Sequence, residues 1–267
     1  MPVQKPVGRV TQAHVIRSEW TKLVSLRSTR WSLLVAVILT VGLPTVFAAV
    51  TAARWSHMSF RDRLDRSPLD IALSGVTLSQ LAIGILGILA ITGEYSTGMI
   101  RASLTAVPKR LPVLWAKLGV YALTSLVLAV PSTIAAFFIS QYLLDRHHIL
   151  QISFSSGGVA RTVVGGAIYL MMISIFTMSL GAIMRNTAAG IGAFVAIFFV
   201  IPPLLNILPT SWHDAVAGYL PDAAGRDIFS LTHGAHDLAP WPGFFLFAGY
   251  CAAVVLAAAV LLLRRDA

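Results

Sequence analysis

The sequence predicts an all-α, polytopic helical membrane protein with six transmembrane helices and an N-terminal amphipathic interfacial helix. Of its 267 residues, 57% are hydrophobic and 12% are charged, whereas soluble domains carry about 25% charged residues. Six apolar stretches lack Lys, Arg, Asp and Glu, and each approaches or exceeds the roughly 20 residues that a spanning helix needs. These predicted spans are 31–53, 71–92, 118–144, 162–184, 187–208 and 243–263.

The spans organise the chain into one membrane domain, residues 31–263, between a leader of residues 1–30 and a short tail of residues 264–267. A long basic leader before an apolar run of about twenty residues favours a retained signal-anchor over a cleaved signal peptide. No appended soluble domain, internal repeat or low-complexity tract is visible in the sequence.

The distribution of Lys and Arg predicts the orientation, because cytoplasmic loops are enriched in these residues. With the N-terminus inside, the net charge of +9 divides into +10 on the cytoplasmic side and −1 on the other. We therefore expect a multi-pass protein of the bacterial plasma membrane with both termini cytoplasmic. The basic character then reflects topology, and we expect no nucleic-acid partner.

The leader from about residue 10 predicts an amphipathic helix. Apolar residues recur at helical spacing, with cations around them, as in helices that lie in the membrane interface. Trp20 would lie at headgroup level and the cations would contact anionic lipid. The alternative is a solvated leader that only fixes the topology. The residues assigned to the interfacial helix are Ile16, Glu19, Trp20, Lys22 and Leu23.

The connections on the two sides differ in character. Spans four and five are separated only by Arg185 and Asn186, which predicts a tight hairpin on the cytoplasmic side. The outer segment 209–242 is rich in aromatic residues, so we expect short helices at the outer interface. The outer segment 54–70 carries alternating charges and is expected to form a solvated surface.

Several classes of chemistry lack their motifs. The sequence contains no GxxxxGK[ST] phosphate loop, no HExxH metal motif and no GxSxG nucleophile elbow. His233 and His236 have a spacing that could suit a metal, but Gly234 lies between them, and exposed loop histidines are the favoured interpretation. We expect no catalytic residue, no metal site and no cofactor bound by this chain.

Polar residues inside the predicted spans are uncharged. A charge at the centre of a spanning helix is costly and usually marks an ion or proton pathway, so their absence disfavours a proton-coupled transporter. The uncharged polar residues either bond neighbouring helices together or line a pathway for an apolar or amphipathic substrate. The candidate pathway residues are Ser74, Thr77, Gln80, Gln141 and Asn206.

The segment 93–117 between spans two and three is too long and too apolar for a plain connector. Ile100 and Leu104 lie one helical turn apart, and Pro108 and Pro112 are turn signals. This pattern predicts a surface helix, over Met99–Thr105, that a partner protein contacts.

The same segment resembles the membrane subunits of type-2 ABC exporters. In that family an acidic residue ends the second span, a Gly-containing turn and a short coupling helix follow, and a Pro-basic pair leads into the third span. The resemblance extends to SEWTK at 18–22, YLP at 219–221 and the basic pair 264–265, and is closest to actinomycete-like permeases encoded beside a separate ATPase. The matching loop residues are Glu94, Tyr95, Gly98, Arg101, Pro108, Lys109, Arg110 and Lys117.

The resemblance implies an export permease that works as a dimer of membrane subunits on two ABC ATPase subunits, which bind ATP and Mg. Glu94 would pair with Arg101 or with a basic residue of the leader. The substrate is expected to be hydrophobic or amphipathic. The residues assigned to ATPase coupling are Glu94, Tyr95, Gly98, Arg101, Leu104, Pro108, Lys109 and Arg110.

Two other functions are compatible with the sequence. One is an ATPase-independent membrane transporter or membrane-embedded enzyme, which the missing intramembrane charges and catalytic motifs disfavour. The other is a membrane assembly protein without transport, which leaves the partner-binding character of segment 93–117 unexplained.

Overall fold

The chain is an all-α polytopic membrane protein. A computed structural model describes residues 11–64, 66–99, 110–147, 149, 151–205, 207, 209–231, 234 and 237–264, with the backbone alone for Leu64, Arg110 and Ser211. Every regular element within these ranges is a helix. Helices suit a bilayer because they satisfy all backbone hydrogen bonds within one segment.

Six helical segments are long and apolar enough to span a membrane, as predicted. The first four follow the N-terminal helix α1 (Gln12–Ser25) and are α2 (Arg27–Arg54), α4 (Pro68–Ser96), α5 (Arg110–Asp145) and α6 (Val159–Met184). The fifth combines α7 (Thr187–Val195), the π-helical turn Ala196–Val200 and α8 (Ile201–Leu205), and the sixth is α11 (Pro240–Arg264).

In the described part of the chain, three short helices lie between the spans. They are α3 (Phe60–Leu64), α9 (Thr210–Val216) and α10 (Pro221–Arg226), with single 3-10 turns at Trp55–His57, Ala217–Tyr219 and Asp227–Phe229. The short helices expected in the outer segment 209–242 are therefore present. The segment 54–70, expected only as a charged surface, also contains a helical turn.

Local sequence signals explain where two spans begin. Ser67 caps α4 by accepting a hydrogen bond from the Asp70 amide, and Pro68 occupies the first turn, where its missing amide costs nothing. Asn186 caps α7 by accepting from the Ala189 amide at 3.0 Å. Arg185 adopts a left-handed conformation, with φ of 54°, which reverses the chain between α6 and α7. The predicted tight hairpin is thus present.

The core is built around α6, whose Tyr169, Leu170 and Ile173 are fully buried. This helix packs against α4, α5, α7 and α11, while α2 packs against α4 and α5. By contrast, α2 and the fifth span leave most of their side chains on the outside of the bundle. In a bilayer, those faces meet lipid or another membrane chain.

The contact between α2 and α4 depends on a glycine. A Cβ atom at Gly75 would lie 2.6 Å from the Thr40 carbonyl oxygen and 2.9 Å from Cδ of Pro44. Nearby, the Thr40 and Ser79 hydroxyl oxygens lie 2.7 Å apart in a buried hydrogen bond. The two helices are therefore as close as their backbones allow.

Gly75→Ala is expected to lower the free energy of unfolding by about 1–3 kcal/mol, because the added methyl group forces the two backbones apart. Thermal unfolding of the purified chain in detergent measures the change. Gly249→Ala in α11 is the matched control, since a Cβ atom there meets nothing within 4 Å. Equal stability of both variants would contradict the close approach of α2 and α4.

Candidate functional site

The end of the bundle that carries α1, here called the leader side, also holds the end of α4, the start of α5 and the α6–α7 hairpin. Helix α1 packs across the start of α5, where Val15 is buried against Val113 and Ala116. The side chain of Gln12 donates a hydrogen bond to the Pro112 carbonyl at 3.1 Å. The leader is therefore a packed part of the bundle.

The opposite face of α1 is apolar and uncovered. Ile16, Trp20 and Val24 are each exposed by nearly half, while Leu23 is half-buried. The predicted amphipathic helix is present, and its exposed apolar face is the one that suits a membrane interface. Its placement in that interface stays a prediction.

Four charged side chains meet beneath α1 and form what we call the ion cluster: Glu19, Lys22, Glu94 and Lys117. Nζ of Lys117 lies 2.5 Å from Oε2 of Glu19 and 2.8 Å from Oε1 of Glu94. Nζ of Lys22 lies 2.8 Å from Oε1 of Glu19 and 3.1 Å from Oε1 of Glu94. Each lysine thus bridges the two carboxylates.

The ion cluster is buried and electrically balanced. Glu19, Glu94 and Lys117 are only 5–6% exposed, and two carboxylates face two ammonium groups. Burial raises the pKa of Glu19, but Lys117 and Lys22 outweigh it and hold that pKa below its usual value. Burial lowers the pKa of Lys22, but Glu19 and Glu94 outweigh it and raise that pKa. Glu19 and Lys22 are therefore charged near neutral pH.

The ion cluster joins three elements that are distant in sequence. Glu19 and Lys117 are 98 positions apart, and Lys22 and Glu94 are 72 apart. The pairing of Glu94 with a basic leader residue, one of the two partners considered from the sequence, is present through Lys22. Glu94 has a further partner, Lys117, which the sequence did not predict because Lys117 resembles a cation of the loop.

The helices beside the predicted coupling loop are longer than the apolar runs indicated. Helix α4 continues through Glu94 to Ser96, and α5 begins at Arg110. The expected loop 93–117 is therefore reduced to the coupling segment, residues 97–109. Mutual neutralisation explains the difference, since Glu94 and Lys117 can remain helical in a buried site when they pair with each other.

Further contacts fix the end of α4 to the α6–α7 hairpin. The Arg185 guanidinium lies 5.2 Å from the centre of the Tyr95 ring, within the range of a cation–π interaction. The hydroxyl groups of Thr92 and Thr187 lie 2.8 Å apart. The end of α4 is thus held by the ion cluster, which includes residues of α1 and α5, and by the α6–α7 hairpin.

Little of the coupling segment itself is described. Gly98 adopts a left-handed backbone with φ of 71°, which favours glycine and ends α4 in a turn. Arg101, Leu104, Pro108 and Lys109 lie outside the described residues, as does most of the predicted helix Met99–Thr105. Arg110 begins α5, but its side chain is not described.

The candidate pathway residues lie in different surroundings. Ser74 is half-buried and donates to the Ile71 carbonyl within its own helix, and Thr77 is also half-buried. The carbonyl oxygen of the Gln141 side chain accepts from the Ile152 amide at 3.1 Å. Asn206 lies outside the described residues. The assignment of these residues to a substrate pathway stays a prediction.

Gln80 belongs to a buried polar network at the other end of the bundle, the far side. The Tyr169 hydroxyl donates to Oε1 of Gln80 and lies 3.4 Å from Oδ1 of Asp222. The Arg226 guanidinium donates to the same Asp222 oxygen at 3.1 Å. Burial raises the pKa of Asp222, against the opposing charge of Arg226. This network attaches α10 to α4 and α6.

Asp227 is a second buried acid on the far side, 6% exposed. Burial and, to a smaller extent, the neighbouring Asp237 raise its pKa, and the backbone amide of Leu238 lowers it; together they bring the pKa to about 7. Because this pKa lies above the usual value of 3.8, the folded state holds the proton more tightly than the unfolded state. The contribution of Asp227 to the free energy of unfolding is therefore fully present below about pH 4 and is lost as the pH rises through 7.

Asp227→Asn is expected to remove this pH dependence. At pH 8 the variant should be more stable than the wild type by about 2–4 kcal/mol, and at pH 4 the two should be equal. Thermal unfolding of both proteins between pH 4 and pH 8 measures the difference. Parallel curves over this range would show that Asp227 is already ionised at low pH.

No protein-family model matches the chain, and no curated protein matches it. Within the described part of the chain, no group of three or more His, Cys, Asp or Glu residues could hold a metal ion. The ion cluster, with its four short contacts between buried and half-buried charges, is the candidate functional site.

Proposed function

We propose that this chain is the membrane permease subunit of an ATP-driven ABC exporter. ATP and Mg bind to a separate ATPase subunit, which docks on the coupling segment. The proposal combines the resemblance of segment 93–117 to type-2 exporters with the ion cluster that surrounds the two ends of that segment.

The ion cluster is the observation that carries the proposal. Glu94 lies three residues before the coupling segment and Lys117 lies eight residues after it, and both are bonded to the leader helix α1. A displacement of the coupling segment would therefore move α1, α4 and α5 together. A partner can shift a conformational equilibrium only through such differential contacts.

The buried charges favour movement of α1 and the ends of α4 and α5 together over separation of these elements. Separating one member leaves an unpaired charge in a buried site, which costs about 3–5 kcal/mol. The platform formed by α1 and the ends of α4 and α5 would therefore transmit force to the spans as a unit. In the proposed cycle, closure of the ATPases converts an inward-facing cavity into an outward-facing one.

The proposed assembly contains a second permease copy in the bacterial plasma membrane. The uncovered surfaces of α2 and the fifth span supply area for such a copy or for lipid. The uncharged polar residues within the spans suit a hydrophobic or amphipathic substrate, because a charged substrate would require compensating charges at membrane depth.

Co-purification with the proposed ABC ATPase subunit tests the proposal. We expect a stable complex in mild detergent and an ATP hydrolysis rate that changes at least severalfold when the permease is present. Export of a hydrophobic probe from cells should require both chains. ATP hydrolysis by this chain alone would identify an enzyme, and export after deletion of the ATPase would identify an independent transporter. A complex with neither activity would favour an assembly protein.

The proposed orientation makes a separate prediction. In a Cys251→Ser background, a cysteine at position 147 should react with an impermeant thiol reagent in intact cells, and a cysteine at position 109 should react only after lysis. The reason is the charge division of +10 against −1 between the two sides. The reverse labelling pattern would invert the proposed orientation.

A further inference from the structure

Two arginines at the start of the first span lack the acidic partners that the leader lysine has. Lys22 is engaged in the ion cluster, so the expectation that it contacts lipid does not fit its position. Arg27 and Arg30 are exposed, and neither guanidinium has a hydrogen bond or ion pair within the described residues. Their two positive charges are therefore available to a ligand.

The arginines share one face of α2 with two exposed apolar residues. Arg27, Arg30, Trp31 and Leu34 follow the spacing i, i+3, i+4 and i+7, which places all four on one helical stripe. They line a concave surface with a volume of about 450 Å³. Trp31 is 66% exposed and Leu34 is 45% exposed. Charge thus occupies the membrane-entry end of the hollow, and apolar surface occupies the deeper end.

We propose that this hollow binds one anionic phospholipid. Two guanidinium groups one turn apart can hold a phosphate through charge-assisted hydrogen bonds. The stripe covers roughly 10 Å along the helix, which matches the step from the headgroup layer into the first methylene groups. Trp31 suits the interface between these layers, and Leu34 would contact the acyl chain.

Charge complementarity selects this occupant over a zwitterionic lipid. A phosphatidylcholine headgroup carries its own cation and competes with the arginines for the phosphate, whereas a phosphatidylglycerol-type headgroup does not. Each arginine near the surface strengthens binding of an anionic lipid. The site is independent of the proposed transport function, because it lies on α2 and shares no residue with the ion cluster or the coupling segment.

Quenching of Trp31 fluorescence by brominated lipid tests the site in the full-length chain. The protein is reconstituted in phosphatidylcholine vesicles with increasing fractions of brominated phosphatidylglycerol. Subtracting the signal of Trp31→Phe isolates the Trp31 contribution. We expect saturable quenching at low mole fraction, and only gradual, non-saturating quenching when the brominated lipid is phosphatidylcholine.

Removing the two charges should raise the half-saturating fraction about thirtyfold in Arg27→Gln/Arg30→Gln. Arg27→Lys/Arg30→Lys keeps the charges and should lose less than fivefold. Arg54→Gln/Arg61→Gln removes the same charge from exposed positions away from the hollow and should behave as wild type. Thermal unfolding checks that every variant remains folded.

Two outcomes would overturn the proposal. Equal quenching of Trp31 by the two brominated lipids, or no shift in Arg27→Gln/Arg30→Gln, would mean that the hollow does not select an anionic lipid. Relief of quenching by millimolar inorganic phosphate would mean that the arginines form a phosphate site without lipid specificity. We expect no relief, because free phosphate gains nothing from Trp31 and Leu34.

Discussion

Lys117→Met is expected to lower the free energy of unfolding by about 3–5 kcal/mol, the largest stability effect of any single change considered for this chain. The Lys117 ammonium is the donor to both Glu19 and Glu94, at 2.5 and 2.8 Å. Its removal leaves two buried carboxylates whose remaining cationic partner, among the described residues, is Lys22. Methionine nearly preserves the volume of the side chain, so the loss reports on charge.

The size of this effect is measured by thermal unfolding in detergent against two matched variants. Arg17→Met removes a cation from the exposed face of α1 and should change the stability by less than about 0.5 kcal/mol. Glu94→Gln/Lys117→Met removes one charge of each sign and should recover part of the loss, because fewer buried charges remain unpaired. If Lys117→Met were as stable as Arg17→Met, the ion cluster would not contribute to folding.

The number and positions of the spans could be predicted from the sequence because one physical constraint dominates them. A bilayer demands long apolar segments whose backbones bond internally, and this chain carries six such segments free of charge. The α6–α7 hairpin was also readable, since only Arg185 and Asn186 separate two apolar runs. Asn is a preferred N-cap residue, and its side chain caps α7.

The ends of spans two and three were less readable. Glu94 and Lys117 resemble loop charges when each is considered alone, because an isolated charge is costly in a buried helix. Only the fold brings them within 2.8 Å of each other, where they offset that cost. The sequence does carry a signal for this pair, since an acid follows one apolar run and a base precedes the next. It carries none for Glu19 and Lys22, which belong to a distant segment.

The leader shows the same limit. Periodicity correctly indicated an amphipathic helix, but it singled out the apolar face with Ile16 and Trp20, which is the exposed face. The buried face carries Val15 and Glu19. A buried glutamate cannot be inferred from periodicity, because its burial depends on Lys117, which lies 98 positions away.

Leu104→Pro is expected to abolish export by the proposed transporter while leaving the fold intact. The residue belongs to the helix predicted over Met99–Thr105, and proline in a helix interior removes an amide donor and clashes with the preceding turn, at about 3 kcal/mol. This cost is confined to the coupling segment, because the ion cluster holds the ends of α4 and α5 in place without it. Membrane insertion and thermal stability should therefore match the wild type within about 1 kcal/mol.

The measurement is ATP hydrolysis by the complex and export of a hydrophobic probe at matched expression, and we expect at least a tenfold reduction of each permease-dependent activity. Leu104→Ala is the control, because alanine favours the helix and should retain most of the activity. Arg101→Glu reverses one charge at the proposed contact and should weaken coupling without breaking the helix.

The contrast with Lys117→Met separates two roles within one platform. That variant should lose stability together with coupling, since it opens the junction of α1, α4 and α5, whereas Leu104→Pro should lose coupling alone. Wild-type export by Leu104→Pro would mean that residues 97–109 only connect two spans. The ion cluster would then only stabilise the fold. It holds the two ends of residues 97–109, and it has no role in transport if those residues transmit no force.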